Sequence, residues 1–133
     1  MSNVSVIELP WPPKVPKRLD IKSPESLAFF QVVGEEVLRQ RLNIMHNGVV
    51  HIRVIVFPPD RRKRDYWVLG NLIVQALKHA NVFVDERQVV EFALESRCPR
   101  LPGKILIQLK FVDKDFGEWY KDCAKDGRRR VAV

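Results

Sequence analysis

Cysteine is scarce: Cys98 and Cys123 are the two in 133 residues. That excludes a disulfide framework. No Cys-x-x-Cys pair or Cys/His spacing of a zinc site occurs, so both are read as free thiols. The three histidines, His46, His51 and His79, are scattered and are read as structural or solvated. Glycine numbers six, with no Gly-rich phosphate loop and no Gly-x-Ser-x-Gly elbow. No apolar run approaches the roughly 20 residues that span a bilayer. Glu8 and four prolines by Pro16 interrupt the N-terminus where a signal peptide needs an apolar stretch. These absences point to a cytoplasmic protein with no membrane partner.

What is present is a globular composition, 46% hydrophobic and 29% charged, long enough for one domain with its own core. The net charge is +7, and it is clustered. Arg61, Arg62, Lys63 and Arg64 form one run, and Arg128, Arg129 and Arg130 another. Without those seven cations the remaining 16 basic residues balance the 16 acidic ones. Clustered positive charge favours a polyanion such as nucleic acid. A solubilising surface is the plainer account.

Hydrophobic periodicity gives the element order β-α-β-α-β-β followed by a short terminal helix, an α+β fold with helices packed on a small mixed sheet. A strand over 4–9 ends at Pro10-Trp11-Pro12-Pro13, since proline cannot donate to a ladder. Trp11 is expected to staple that strand end, and residues 14–22 form a basic loop. Ser23-Pro24 reads as an N-cap with proline at the first helical position. The helix runs to about residue 42, with Leu27, Phe30, Gly34, Val37, Leu38 and Arg41 on one face and a turn at Asn47-Gly48. Val50, Ile52, Val54 and Val56 then alternate along a half-buried strand, Val49–Phe57, stopped by Pro58-Pro59.

A second helix is expected over 66–80, weakened by Gly70 and ended by a left-handed Asn81. Strands over 89–97 and Lys104–Val112 follow, paired as a hairpin, with Ile105, Ile107, Leu109 and Phe111 inward. The chain divides into a domain over 1–113 and a helix with a basic tail over 114–133.

Three motifs in order carry a resemblance. They are Leu9-Pro10-Trp11-Pro12-Pro13, Pro59-Asp60-Arg61-Arg62-Lys63-Arg64-Asp65, and Val84-Asp85-Glu86-Arg87-Gln88-Val89-Val90. Together, over residues 6–112, the chain resembles the RusA family of Holliday-junction resolvases, small endonucleases of phages and prophages. The resemblance implies an α+β homodimer that binds four-way DNA junctions and cuts them with magnesium. It also marks departures. The family pattern after the cationic run is Arg-Asp-x-Asp-Asn, with a lysine four residues past the second aspartate. Asp65 matches the first aspartate, but Trp67, Val68 and Asn71 stand at the second aspartate, the Asn and the lysine. Asp85 and Glu86 retain the later acidic pair.

By this resemblance Asp65, Asp85 and Glu86 are the remnant catalytic and magnesium-binding residues, facing one another across a turn and holding an ion weakly. Asp60 or Glu91 are alternative ligands. The plainer account is that Asp65 caps a helix and that Asp85 and Glu86 solvate a turn. Indole supplies no anionic oxygen, and Asn71 removes a positive charge from a developing oxyanion, so hydrolysis is expected to be absent or strongly impaired. DNA contacts are assigned to Arg61, Arg62, Lys63, Arg64, Tyr66 and Trp67. Trp67 has two readings: its ring packs into the core below the helix, the favoured one, or stacks on an unpaired base. The leading expectation is a branched-DNA-binding protein. An active magnesium-dependent junction endonuclease, and an interaction module that pairs with an active resolvase and poisons it, are the alternatives.

Overall fold

The structure is a computed structural model that describes residues 3–12 and 20–125. The basic loop over 14–22 lies largely outside these residues, and the arginines 128–130 lie wholly outside them. Four strands, β1 (Asn3–Pro10), β2 (Val49–Phe57), β3 (Val89–Ser96) and β4 (Lys104–Val112), form one sheet in the order β1-β4-β2-β3. Three helices, α1 (Pro24–Arg39), α2 (Tyr66–His79) and α3 (Phe116–Lys125), complete the described chain. The α+β class and the element order are those expected from periodicity.

Strand pairing departs from expectation. β3 and β4 are not a hairpin, because β2 lies between them, parallel to β3 and antiparallel to β4. Antiparallel pairing of consecutive strands needs a short turn, whereas residues 97–103 bridge over the end of β2. The backbone N–H groups of Arg97 and Arg100 donate to the carbonyls of Val56 and Pro58, so this connection is tied to the end of β2 it crosses. Burial explains the arrangement: Val50, Ile52, Val54 and Val56 are all essentially inaccessible, as a central strand demands.

Ser23 caps α1, its hydroxyl accepting the Ser26 N–H at 3.2 Å, with Pro24 in the first turn. The buried face of α1 is Ser26, Phe29, Phe30, Val33 and Val37. Of the face expected from sequence, Leu27 and Leu38 are 52% and 62% exposed, and a Cβ at Gly34 would meet open space. Phe30 and Val37 of that expected face are buried, and Phe29 and Val33 join them. The helix stops at Arg39, because Arg41 already has a left-handed φ of 58°. α2 buries Leu69, Leu72, Ile73, Ala76 and Leu77. Gly70 faces the Phe92 ring of β3, which a Cβ there would meet at 3.1 Å, so this glycine sets how closely helix and strand approach. Asn81, at φ 63°, ends the helix region as its residue type foretold.

One side chain ties the crossover together. The Gln88 amide donates to the carbonyls of His46 and Gly48, at 2.6 and 2.7 Å. Its oxygen accepts the N–H groups of Val84 and Asp85, at 2.9 and 2.7 Å. The turn before β3 is thereby fastened to the chain entering β2. Val90 is the extra residue of the parallel register, since Val50 pairs with Val89 and His51 with Glu91. That bulge lets Val89 and Phe92, three apart, both turn toward the core.

Gln88→Met keeps the side-chain length and removes all four bonds. Losing paired backbone groups at about 1–3 kcal/mol predicts a clear fall in the urea midpoint followed by circular dichroism. On α1, Phe29→Ala is expected to cost about 3–5 kcal/mol, and Leu38→Ser to stay within about 0.5 kcal/mol. Equal losses from both would restore the face expected from sequence.

Candidate nucleic-acid interface

The register gathers four chain segments at one end of the sheet. Phe57, ending β2, pairs with Lys104 at the start of β4, which pairs with Pro10 at the end of β1; Ser96, ending β3, pairs with Val56. The loops that leave this end are 58–65 and 97–103, and both are cationic. Gly103, at φ 88°, lets the Trp11 and Pro59 side chains close over it: a Cβ there would meet them at 2.9 and 3.0 Å. Trp11 is half-buried against the core, as expected of a staple.

The cationic run does not act as a unit. Arg64 folds back, its guanidinium donating to Asp60 Oδ1 at 2.7 Å and to the carbonyls of Asp60 and Arg62, with its carbon 5.1 Å from the centre of the Trp11 ring. Its side chain is 18% exposed. Arg64 therefore builds the loop rather than presenting charge. Asp60 is the loop's anchor: the backbone N–H of Arg62, then the Arg64 side chain, hold its carboxyl below the ordinary range. Arg61, Arg62 and Lys63 remain exposed. Arg61 and Lys63 have no acidic partner among the described residues, and Arg62 reaches Asp60 at 3.4 Å.

The second loop supplies cations that periodicity could not place. Arg100 lies over the Phe57 ring at 5.4 Å, and Lys104 at 5.2 Å. Arg97 pairs with Glu95 at 2.9 Å. Reading 97–103 as a hairpin turn hid this convergence. The sequence signal for it was a run of arginines between prolines, Arg97-Cys98-Pro99-Arg100, after a strand.

The three remnant carboxylates are each engaged separately. Asp65 caps α2, accepting the N–H groups of Trp67 and Val68 at 3.0 and 3.2 Å. Asp85 caps the 3-10 turn Glu86–Gln88 and takes the Arg87 guanidinium at 2.8 Å. Glu86 binds Lys78 Nζ at 2.8 Å, in the last turn of α2. Residues 65 and 78 are about 20 Å apart along a helix that rises 1.5 Å per residue. Among the described residues, no three His, Cys, Asp or Glu side chains form a group that could hold a metal ion. Asp65, Asp85 and Glu86, the expected magnesium set, are thus not gathered around one position in this structure. Neither alternative ligand completes it: Asp60 is bound within its loop, and Glu91 faces His51 at 3.8 Å. Glu95 similarly faces Arg53 at 3.6 Å, so the outer side of β3 carries two carboxylates held by β2.

The aromatic pair divides. Tyr66 is half-buried and its oxygen accepts the Ser96 hydroxyl at 3.2 Å. Trp67 does not pack inward: it is 80% exposed, because the first turn of α2 turns Val68 and Leu69 to the core and leaves position 67 on the outside. Trp67, Asn71 and Glu86 all line a groove of about 530 Å³ between α2 and β3, floored by Gly70, Phe92 and Leu94. Trp67 and Asn71, two of the three positions at which the chain departs from the resolvase pattern, therefore border one groove, while Val68 turns to the core.

Comparison with protein-family models and with curated proteins gives no match.

Hydrogen bonds from the Arg87 side chain, then from its backbone N–H, pull the Asp85 carboxyl from an ordinary 3.8 down to about 2. Its stabilising contribution is therefore complete above about pH 4 and lost as pH falls through about 2. NMR titration of the Asp85 carboxyl should show the low midpoint and its rise in Arg87→Ala. Asp85→Asn should flatten the acid-unfolding profile in that window.

Proposed function

We propose that this chain binds branched DNA through the two cationic loops at one end of its sheet, and that it hydrolyses DNA poorly or not at all. The observation that carries the reading is the convergence of Arg61, Arg62 and Lys63 with Arg97, Arg100 and Lys104 around the ends of β2 and β3. Arg62, Arg97 and Lys104 are paired with Asp60, Glu95 and Glu8, whereas Arg61, Lys63 and Arg100 have no acidic partner among the described residues. Cations so clustered meet phosphates without reading sequence, and counterion release makes such binding salt-dependent. The order of motifs shared with the RusA resolvases supplies the branched character of the substrate. In a homodimer, also implied by that resemblance, two such ridges would meet different arms of a junction.

The nuclease half of the resemblance loses support from the chemistry of the site. Metal-assisted hydrolysis needs carboxylate oxygens gathered around one position. Here each carboxylate is bonded to its own helix end or cation, and Trp67 brings a donor where an acceptor is needed. The protein would then occupy junctions and shield them from an active resolvase.

Gel shifts with a four-way junction over a salt series test binding. Each phosphate contact contributes about 0.9 to the slope of log affinity against log salt. Arg61→Ala, Arg62→Ala and Lys63→Ala combined should lower that slope by about 2.7, whereas Arg64→Ala should chiefly lower thermal stability. Clean paired nicks in magnesium or manganese that vanish in Asp65→Asn would reverse the reading on hydrolysis. Trp67→Asp together with Asn71→Lys tests whether those two positions are the missing machinery, through the appearance of cutting in a folded protein.

A further inference from the structure

We propose that the groove between α2 and β3 holds one unpaired nucleobase, stacked on Trp67 and contacted along its edge by Asn71. This rests on the DNA-binding reading and names the feature of DNA that the groove selects.

Three observations converge. First, Trp67 is bare. Its ring stacks on no other ring and lies under no cation among the described residues, although an indole so exposed forgoes the hydrophobic free energy its area offers. Secondly, the groove beside it is apolar in its walls and floor, through Gly70, Val74, Val89, Phe92 and Leu94. Phe92 and Leu94 stay only half-buried because α2 does not cover β3 fully. Thirdly, the groove's end at Tyr66 and Ser96 adjoins both cationic loops, since residue 66 follows the first loop and residue 96 precedes the second. A ligand that fits has a flat apolar face joined to an anionic linkage. Nucleotides have that form. The phosphates stay with Arg61, Lys63 and Arg100, and the base enters the groove, where an aromatic platform accepts any base.

Asn71 adds a contact to the edge of the base. Its amide nitrogen donates to the Trp67 carbonyl at 2.9 Å. A carbonyl only accepts, so the NH₂ group must face the helix and Oδ1 is left as an acceptor with no partner among the described residues. An acceptor at this place takes an N–H from the edge of an unpaired base, the exocyclic amino group of cytosine, adenine or guanine or the N3–H of thymine. Continuous duplex keeps its bases stacked and pays for extrusion, whereas a base at a branch or bulge is already loose. The groove thus selects DNA by its unpaired positions.

The test compares a duplex carrying a single cytosine bulge with the same duplex carrying an abasic bulge or a thymine bulge, at fixed salt. Wild-type protein should prefer the cytosine bulge to the abasic one by about 5- to 150-fold, the span of one base–aromatic stack. Trp67→Ala should bring the two affinities together, and Trp67→Phe should restore most of the difference. Asn71→Leu should weaken binding of both the cytosine and the thymine bulge while keeping the preference over the abasic site. Equal wild-type affinity for cytosine and abasic bulges, with salt-dependent binding intact, overturns the groove proposal and leaves the ridge reading standing. Absence of salt-dependent binding to every DNA removes both. If Trp67→Ala changes the oligomeric state and leaves base discrimination untouched, the groove is a protein contact and the proposal falls.

Discussion

Parallel pairing of β2 with β3 is the constraint on which the rest of the molecule depends. Two consecutive strands can run parallel only if the chain returns to its starting end between them, and α2 makes that return. The carboxyl ends of both strands then lie together, and the loops that leave them are neighbours although some 35 positions apart in sequence. Crevices outside such strand ends are where open α/β sheets commonly bind ligands. The Gln88 amide fastens the return, bonding four backbone groups across the two strand entrances. The cationic ridge and the apolar groove both follow from this one pairing.

Sequence periodicity carried much of the architecture. The alternation in β2 and β4, the Ser23-Pro24 helix start and the Asn81 helix end are local signals, and each appears in the fold where its residues place it. The pairing of β3 was not local. Nothing in residues 97–103 distinguishes a hairpin turn from a passage over another strand, because both are rich in proline and glycine. The face of α1 was also ambiguous, since Leu27 and Leu38 compete with Phe29 and Val33 at the same spacing. Only the sheet beneath decides which stripe it covers. In the candidate site, the exposure of Arg61, Arg62 and Lys63 was legible from charge alone. The inward fold of Arg64 was not, for it depends on Trp11 arriving from another strand.

The carboxylates show how the same residue type serves two ends. Asp65 and Asp85 both lie at helix starts, where an oxygen acceptor satisfies backbone N–H groups that lack a partner. Such caps can coexist with metal ligation only if a second oxygen faces a shared centre. Here the second oxygen of Asp85 takes a guanidinium, and the nearest acid, Glu86, is bonded to a lysine. In this structure the three carboxylates serve as caps and ion-pair partners. Trp67 and Asn71, which perform no such duty, are the side chains left facing outward.

The pairs formed by Glu91 with His51 and Glu95 with Arg53 have a consequence of their own. β3 is the last strand on its side of the sheet, and a bare strand edge is a template on which another chain can zip up. The two glutamates stand four residues apart on that strand, facing His51 and Arg53 of β2. Another chain adding along β3 would have to accommodate these charged side chains. Charged side chains on an edge strand are a brake on edge-to-edge pairing of sheets.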